Sequence, residues 1–175
     1  MISLEQNEIH LRALEPEDLS LLIAWENNPA FWTAAQQKIP YSEYLIKEYL
    51  KQAGQSPYES GQLRLVICKG EQSIGLIDCF DFDADHQRAG IGILIAKSEE
   101  SGKGYAQTAL KIFAKYLFDN FNLMQLYAGI AAGNEASIRL FQNCGFVQYG
   151  LRKDWYRQGE TFVDEHLFQL LKKDL

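Results

Sequence analysis

Ser101-Gly102-Lys103-Gly104-Tyr105-Ala106 joins an apolar run at residues 91–96 to residues 106–121, whose apolar side chains recur at helical spacing. This pattern predicts a buried strand, a glycine-containing turn and a helix. The glycines let the backbone approach a ligand, and the start of the helix offers unpaired N–H groups that suit a phosphate. Lys103 adds a mobile positive charge. The turn is therefore predicted to bind phosphate, with a plain strand-to-helix turn as the open alternative.

Two other phosphate-binding patterns fail at this turn. A P-loop requires glycine five residues before Gly102 and serine or threonine after Lys103, but the chain has Lys97 and Gly104 at these positions. The dinucleotide fingerprint requires a third glycine at position 107, which is Gln107. The turn therefore belongs to neither pattern.

A second motif follows the predicted helix. Residues 134–146 read Asn-Glu-Ala-Ser-Ile-Arg-Leu-Phe-Gln-Asn-Cys-Gly-Phe. Together, the two stretches resemble the GCN5-related N-acetyltransferase (GNAT) superfamily, whose motifs read Q/R-x-x-G-x-G/A and N-x-x-S/A-x-x-L/I-Y/F-x-x-x-G-F. The ribosomal-protein and spermidine acetyltransferase branches are the most similar, since residues 150–153 precede an aromatic segment and then Asp164. The chain departs from the family at Ser101, usually Gln or Arg, and at Phe141, often the tyrosine that protonates the leaving thiolate.

The resemblance implies the superfamily's fold, in which two central strands splay apart and admit the pantetheine arm of the cofactor. The order of predicted elements also gives an α+β fold with a mixed, mostly antiparallel sheet of seven strands and about four helices. We expect a single acetyltransferase domain over residues 1–175. Residues 31–40 are expected to form a loop, and residues 54–61 a connection.

The resemblance also implies a set of residues that contact acetyl-CoA. The turn would hold the pyrophosphate, the strand before it would pair with the pantetheine amides, and the second motif would contact the arm. The expected cofactor-binding residues are Leu94, Ile95, Ala96, Ser101, Gly102, Lys103, Gly104, Tyr105, Ala106, Asn134, Ser137 and Phe141. Asn134 could equally serve as a helix cap.

The expected catalytic residues are Ser137 and Asp78. Because Phe141 has no proton to donate, Ser137, one helical turn earlier, becomes the candidate general acid, with water as the alternative. Asp78 is the candidate base, since the polyamine branch carries acids in this strand. Strand alternation places Asp78 and Asp81 on opposite faces unless a bulge intervenes. The further candidates near the acceptor are Glu26, Asp154 and Tyr156, and each acid could instead be a solvated surface group.

Composition narrows the class of protein. The net charge of −6 disfavours nucleic-acid binding through backbone neutralisation and is compatible with a cationic acceptor or with solubility alone. No apolar run reaches the roughly 18 residues of a membrane helix, and the N-terminus lacks signal-peptide features, so a cytoplasmic protein is expected. Cys68, Cys79 and Cys144 are too widely spaced to predict a disulfide framework or a metal site.

Three functions remain open on the sequence. The first is an acetyl-CoA-dependent N-acetyltransferase acting on a primary amine, with a polyamine or other small amine slightly preferred to a protein N-terminus. The second is a non-catalytic acyl-CoA-binding module, motivated by Phe141. The third is a doubly wound nucleotide-binding protein, which the failed glycine spacings disfavour. Whether the chain forms a homodimer is left open.

Overall fold

A computed structural model describes residues 4–35 and 37–175. Within these ranges the strands are β1 Glu5–Gln6, β2 Ile9–Ala13, β3 Leu63–Lys69, β4 Gln72–Asp83, β5 Arg88–Ile95, β6 Gln125–Ala131, β7 Val147–Gln158 and β8 Thr161–Leu171. The α-helices are α1 Leu19–Glu26, α2 Pro29–Ala35, α3 Glu43–Gln52, α4 Pro57–Ser60, α5 Tyr105–Asn120 and α6 Glu135–Asn143. This order of elements confirms the predicted α+β class.

The described ranges hold eight strands where the sequence predicts seven, and six helices where it predicts about four. The extra strand is β1, a two-residue addition to the edge of β2. The loop predicted over residues 31–40 is wrong for residues 31–35, which belong to α2. The Asn28 side chain accepts the Ala30 N–H at the start of this helix, and Pro29 suits a first helical position.

The connection predicted over residues 54–61 also contains a short helix, α4. The Ser56 side chain accepts the Tyr58 N–H at the start of this helix. Gly61 ends it in the left-handed conformation, with a φ of 73°. A single turn of helix is too short for apolar periodicity to reveal, so the sequence pattern missed it.

The strands form one mixed sheet in the order β1-β2-β3-β4-β5-β6-β8-β7. β5 and β6 run parallel, and the other neighbouring strands in this order pair antiparallel. The sheet is therefore mostly antiparallel, as predicted. The parallel pair is β5 and β6, which α5 connects.

The central pair of strands separates along its length. β5 and β6 pair through Arg88–Gly90 and Gln125–Tyr127, and no pairing continues beyond Gly90. From there β5 stays paired with β4 as far as Ile95, while β6 stays paired with β8 as far as Ala131. A wedge-shaped gap therefore opens in the middle of the sheet, as the predicted splay requires.

Two buried clusters cover the two faces of the sheet. α5 packs Phe113 and Leu117 against one face, together with Ile67 of β3. Val66, the neighbour of Ile67, points to the other face and packs with Leu22 of α1 and Ile46 of α3. This alternation is what a sheet covered by helices on both faces requires.

The three cysteines are free and buried in the core. Burial raises the pKa of the Cys79 thiol to about 12 and that of Cys144 to about 11, so both stay protonated at neutral pH. Among the described helices, none is long and apolar enough to cross a membrane.

An ion pair links strand β2 to the residues just before helix α1. Arg12 donates from both terminal nitrogens to Asp18, at 2.7 and 2.8 Å, and Asp18 is only 6% exposed. Asp18 also accepts the Glu15 N–H at 2.9 Å. The Arg12 hydrogen bond lowers the pKa of Asp18 below its ordinary value of 3.8, although burial opposes this shift.

We expect Asp18→Asn to lower the free energy of unfolding by about 2 kcal/mol at pH 7, less than for a fully buried pair because Arg12 reaches water. Because the folded-state pKa is lowered, the carboxylate stabilises the protein above the ordinary pKa of 3.8, and this contribution is lost as the pH falls through the folded value. Urea unfolding at several pH values measures both effects. Glu43→Gln, which removes an exposed pair with Lys47, is the control and should change stability by less than about 0.5 kcal/mol. An equal loss in both variants would contradict the prediction.

Candidate active site

The glycine-containing turn leads directly into α5, as the sequence predicts. Gly102 and Gly104 have φ values of 75° and 85°, a left-handed conformation that favours glycine. A Cβ on either residue would meet nothing within 4 Å, so backbone conformation, rather than a lack of space, requires glycine. Gly104 is the N-cap of α5, and no side chain caps this helix end. The N–H groups at the start of α5, beginning with Tyr105, therefore suit an anionic ligand.

Lys103 has an acidic partner within the turn. Its Nζ lies 3.1 Å from Oε2 of Glu100, and Lys69 Nζ lies 3.4 Å from the same oxygen. The hydrogen bond from Lys103 lowers the pKa of Glu100, so this carboxylate is ionised at neutral pH. Lys69 also lies over the Tyr105 ring, 4.8 Å from its centre. Lys103 thus has a partner that the sequence did not predict. Lys69, which β3 brings from a distant part of the chain, was not predicted either.

A narrow cleft of about 130 Å³ lies in the gap between β5 and β6. Its described lining residues are Ile91, Gly92, Ile93, Ala128, Gly129, Ile130, Ala131, Asn134, Ser137, Phe141 and Tyr156. The structure therefore brings three predicted cofactor-binding residues, Asn134, Ser137 and Phe141, to the edge of the splayed strands.

The predicted strand contacts fall partly outside this cleft. Leu94 lines a neighbouring, wider cavity, whereas Ile95 and Ala96 are not among the lining residues of either space. The Ala96 N–H donates to the Ile74 carbonyl at 2.9 Å, so this amide is already engaged. Ile91 and Ile93 lie along the cleft instead, because the strands separate immediately after Gly90.

α6 presents its polar start and one aromatic ring to the cleft. Asn134 is the N-cap of α6, and its side-chain oxygen accepts the Ser137 N–H at 3.2 Å. Phe141 is 3% exposed and packs edge-to-face against Phe146, with the ring centres 4.9 Å apart. Phe141 is therefore a core residue that also forms one wall of the cleft.

A wide cavity of about 620 Å³ adjoins the narrow cleft on the other side of the splayed strands. Its charged lining residues are four acids, Glu26, Asp78, Asp81 and Glu165, and two bases, Arg64 and Arg152. Its aromatic lining residues are Phe31, Phe80, Tyr127, Tyr149 and Tyr156. Negative charge exceeds positive charge in this lining, and the rings provide apolar and cation-binding faces.

Asp78 lies against the splayed strand β5. A Cβ at Gly92 would sit 3.2 Å from Asp78 Oδ1, so the carboxylate covers a residue that lines both spaces. Burial raises the pKa of Asp78, and Glu26 raises it further, whereas Arg64 opposes the shift. Arg64 is held by Glu26 at 2.6 Å and lies 3.8 Å from Asp78. The Arg64 guanidinium is therefore closer to Glu26 than to Asp78.

The bulge that the sequence analysis left open is present in β4. The pairing with β5 shifts between Phe80 and Asp83, and Asp81 has a φ of 48°. This irregularity turns Asp81 toward the wide cavity, which Asp78 also lines. The two carboxylates therefore face the same space, although simple alternation would separate them.

A second carboxylate lies against the other splayed strand. Glu165 of β8 is 4% exposed, and a Cβ at Gly129 of β6 would collide with its carboxylate. Tyr156 donates its hydroxyl to Oε1 of Glu165, and Arg152 donates to Oε2 at 2.7 Å. Burial raises the pKa of Tyr156, and the Glu165 hydrogen bond adds to the shift. Glu165 was not predicted from the sequence, in which Gly129, a residue without a side chain, is the only local signal for it.

The remaining acceptor candidates divide between the cavity and the surface. Glu26 and Tyr156 line the wide cavity, as expected for residues near the acceptor. Asp154 is exposed in a bulge of β7, where its N–H donates to Asp164 at 2.9 Å. Within the part of the chain that the structure describes, no cluster of three or more His, Cys, Asp and Glu side chains could hold a metal ion.

A splayed sheet, a glycine-containing turn that opens α5 and two adjoining spaces together fit a transferase that takes two substrates. The acetyltransferase (GNAT) domain family matches residues 8–147, and the chain belongs to this family. Spermidine N(1)-acetyltransferase of Vibrio cholerae serotype O1 is 28% identical over 174 residues, which cover 97% of this chain and 96% of the relative. YdaF of Bacillus subtilis (strain 168), provisionally named a ribosomal N-acetyltransferase, is 27% identical over 184 residues, with 99% and 97% covered.

Solved structures agree with this assignment. The Vibrio cholerae spermidine N-acetyltransferase in complex with CoA and spermine has a TM-score of 0.86 at 24% identity, with 97% of this chain and 98% of that chain covered. A dodecameric structure of the same enzyme in an intermediate state has a TM-score of 0.79 at 26% identity, with 96% of each chain covered. The predicted GNAT fold is therefore confirmed. The protein is an acyltransferase that uses acetyl-CoA, and the doubly wound nucleotide-binding interpretation is wrong.

We expect Gly104→Val to weaken acetyl-CoA binding by about tenfold or more. A β-branched residue is strained at a φ of 85°, and the open space around Gly104 is where a ligand phosphate would approach. Calorimetric titration with acetyl-CoA measures the loss. Gly159→Val, at a left-handed hairpin turn that lines neither space, controls for backbone strain alone. Equal binding by a folded Gly104→Val protein would show that the turn does not contact the cofactor.

Proposed function

We propose that the protein transfers the acetyl group of acetyl-CoA to a primary amine, and that this amine is a polyamine or another small cationic amine. The observation that carries the proposal is the lining of the wide cavity, which contains four carboxylates and only two guanidinium groups. This imbalance favours a cationic ligand over a neutral or anionic one. The single acetyltransferase domain expected over residues 1–175 is part of the same proposal.

The residues around the narrow cleft fit the donor. Acetyl-CoA carries its reactive thioester at the end of a long, thin arm. The gap between β5 and β6 contains a narrow cleft of about 130 Å³, and the glycine-containing turn lies in the adjoining connection. Tyr105 and the residues that follow it would hold the pyrophosphate through their N–H groups, with Lys103 nearby. The unpaired edge of β5 beyond Gly90 would hydrogen-bond to the arm as an additional strand does.

Asp78 is proposed as the base for the incoming amine. An amine must lose a proton before it can attack the thioester, and a carboxylate whose pKa is raised takes up that proton more readily. Asp78 lies against Gly92, where the cleft and the wide cavity meet, so its carboxylate is near the point of attack. Binding both substrates at this junction would supply much of the rate by positioning alone.

The related enzymes support the polyamine class ahead of a protein N-terminus. The Vibrio cholerae relative is named for spermidine and was solved with spermine. A protein N-terminus is the next candidate, since YdaF is provisionally assigned to ribosomal substrates and the aromatic rings of the wide cavity could hold an apolar residue.

A rate screen with spermidine, spermine, amino acids, aminoglycosides and N-terminal peptides tests the acceptor, with mass spectrometry of each product. We expect N-acetylated polyamine, and we expect Asp78→Asn to lower kcat/KM for it by at least about tenfold. Asp119→Asn, on the exposed face of α5, is the matched control and should leave this value unchanged. Acetylation of peptides alone, or of a hydroxyl or thiol, would refute the polyamine proposal.

A further inference from the structure

We propose that Tyr156 donates the proton to the leaving thiolate of CoA and that Glu165 acts with it as a proton relay. The inference rests on the proposed transfer to an amine, which leaves CoA as a thiolate. It assigns the general acid to the edge strand β7 instead of α6, where Ser137 was expected to supply it.

The position of Tyr156 is the first observation. Six described residues line both the narrow cleft and the wide cavity: Ile91, Gly92, Ile93, Ala128, Gly129 and Tyr156. Of these six, Tyr156 alone carries an ionisable side chain. The thioester in the cleft and the amine in the wide cavity must meet at this junction, so a proton donor that serves the reaction has to reach both spaces.

The hydrogen bonds of Glu165 are the second observation. Both carboxylate oxygens have a partner, the Tyr156 hydroxyl on one side and Arg152 Nη1 on the other. Arg152 therefore holds the carboxylate from one side, and the Tyr156 hydroxyl is directed at the oxygen on the other side. Burial and this hydrogen bond raise the pKa of Tyr156, so the phenol carries its proton at neutral pH.

The shape of β7 is the third observation. Arg152 pairs with Glu165, yet Tyr156 pairs with Val163, so the pairing shifts between these two positions. Regular alternation would place Asp154 opposite Val163. The bulge instead displaces Asp154 to the surface, and Tyr156 takes its place beside Glu165. The bulge thus places the phenol of Tyr156, instead of the carboxylate of Asp154, at the junction of the two spaces.

The proton movements balance. The acceptor enters as an ammonium ion and gives one proton to Asp78, from which it passes to water. Attack forms the C–N bond, and the second nitrogen proton moves to the Tyr156 oxygen as the original phenolic proton moves to Glu165. When the C–S bond breaks, Tyr156 gives a proton to sulfur and recovers one from Glu165. The products are the amide and CoA thiol, and both side chains return to their starting states.

The test compares Tyr156→Phe with the wild-type protein, using Tyr44→Phe as the control because Tyr44 is 73% exposed and lies outside both spaces. We expect Tyr156→Phe to lower kcat by about 100-fold, the size of a lost general acid. The dissociation constant for acetyl-CoA, measured by calorimetry, should stay within about twofold, because the arm is held by backbone groups. Normal turnover, or a tenfold loss of affinity that accounts for the lost rate, would overturn the proposal.

Two further variants distinguish the relay from proton donation by Ser137 and from a purely structural role of Glu165. Glu165→Gln keeps the shape of the side chain but cannot store the proton, so kcat should fall while KM for the amine changes little. Ser137→Ala is the competing variant: a larger loss of kcat there than in Tyr156→Phe would assign the acid to Ser137 and overturn the relay. Slow thiol release from acetyl-CoA without any amine is measured in parallel. Its loss in Tyr156→Phe would support the relay even if every amine failed as an acceptor, and its persistence at the wild-type rate would overturn the relay.

Discussion

The separation of β5 from β6 is the constraint on which the rest of the structure depends. Two neighbouring parallel strands normally satisfy each other's backbone groups, and here the pairing stops at Gly90. The strands remain ordered because each keeps its other neighbour, β4 for β5 and β8 for β6. The sheet therefore consists of two halves that are joined at one end of β5 and β6. The exposed backbone between them is available to a ligand that brings its own amide groups.

The same separation determines where the chemistry is placed. Gly92 and Gly129 lie on the two sides of the gap, and each lacks the side chain that would otherwise fill the space above it. Asp78 lies over Gly92 and Glu165 lies over Gly129, so one carboxylate is found on each side of the gap between β5 and β6. Their surroundings differ. Burial raises the pKa of Asp78, whereas Glu165 has partners at both oxygens. In the proposed reaction the two groups have different tasks, Asp78 toward the amine and Glu165 toward Tyr156.

Local sequence patterns predicted the parts of the site that are continuous in the chain. The turn at Gly102 and Gly104, helix α5 and the cap at Asn134 are encoded by neighbouring residues, and each is found where expected. Contacts between distant segments were not predictable in this way. Glu100 meets Lys69 across the end of the sheet, and Glu165 meets Tyr156 across a bulged hairpin. Alternation also fails at a bulge, because one extra residue reverses the faces that follow it, as at Asp81.

Phe141 shows why the proton donor and the motif residue need not coincide. Its ring is 3% exposed and packs on Phe146, so it fills the core between α6 and the sheet. A hydroxyl in that position would need a hydrogen-bond partner or would lose the free energy of burying a polar group unpaired. Tyr156 meets this requirement elsewhere, because Glu165 accepts a hydrogen bond from its hydroxyl while the ring lines the cleft. In this fold α6 therefore packs against the core through Phe141. The hydroxyl that lines the cleft belongs to Tyr156 on β7, where its hydrogen bond to Glu165 offsets the free energy lost on burying it.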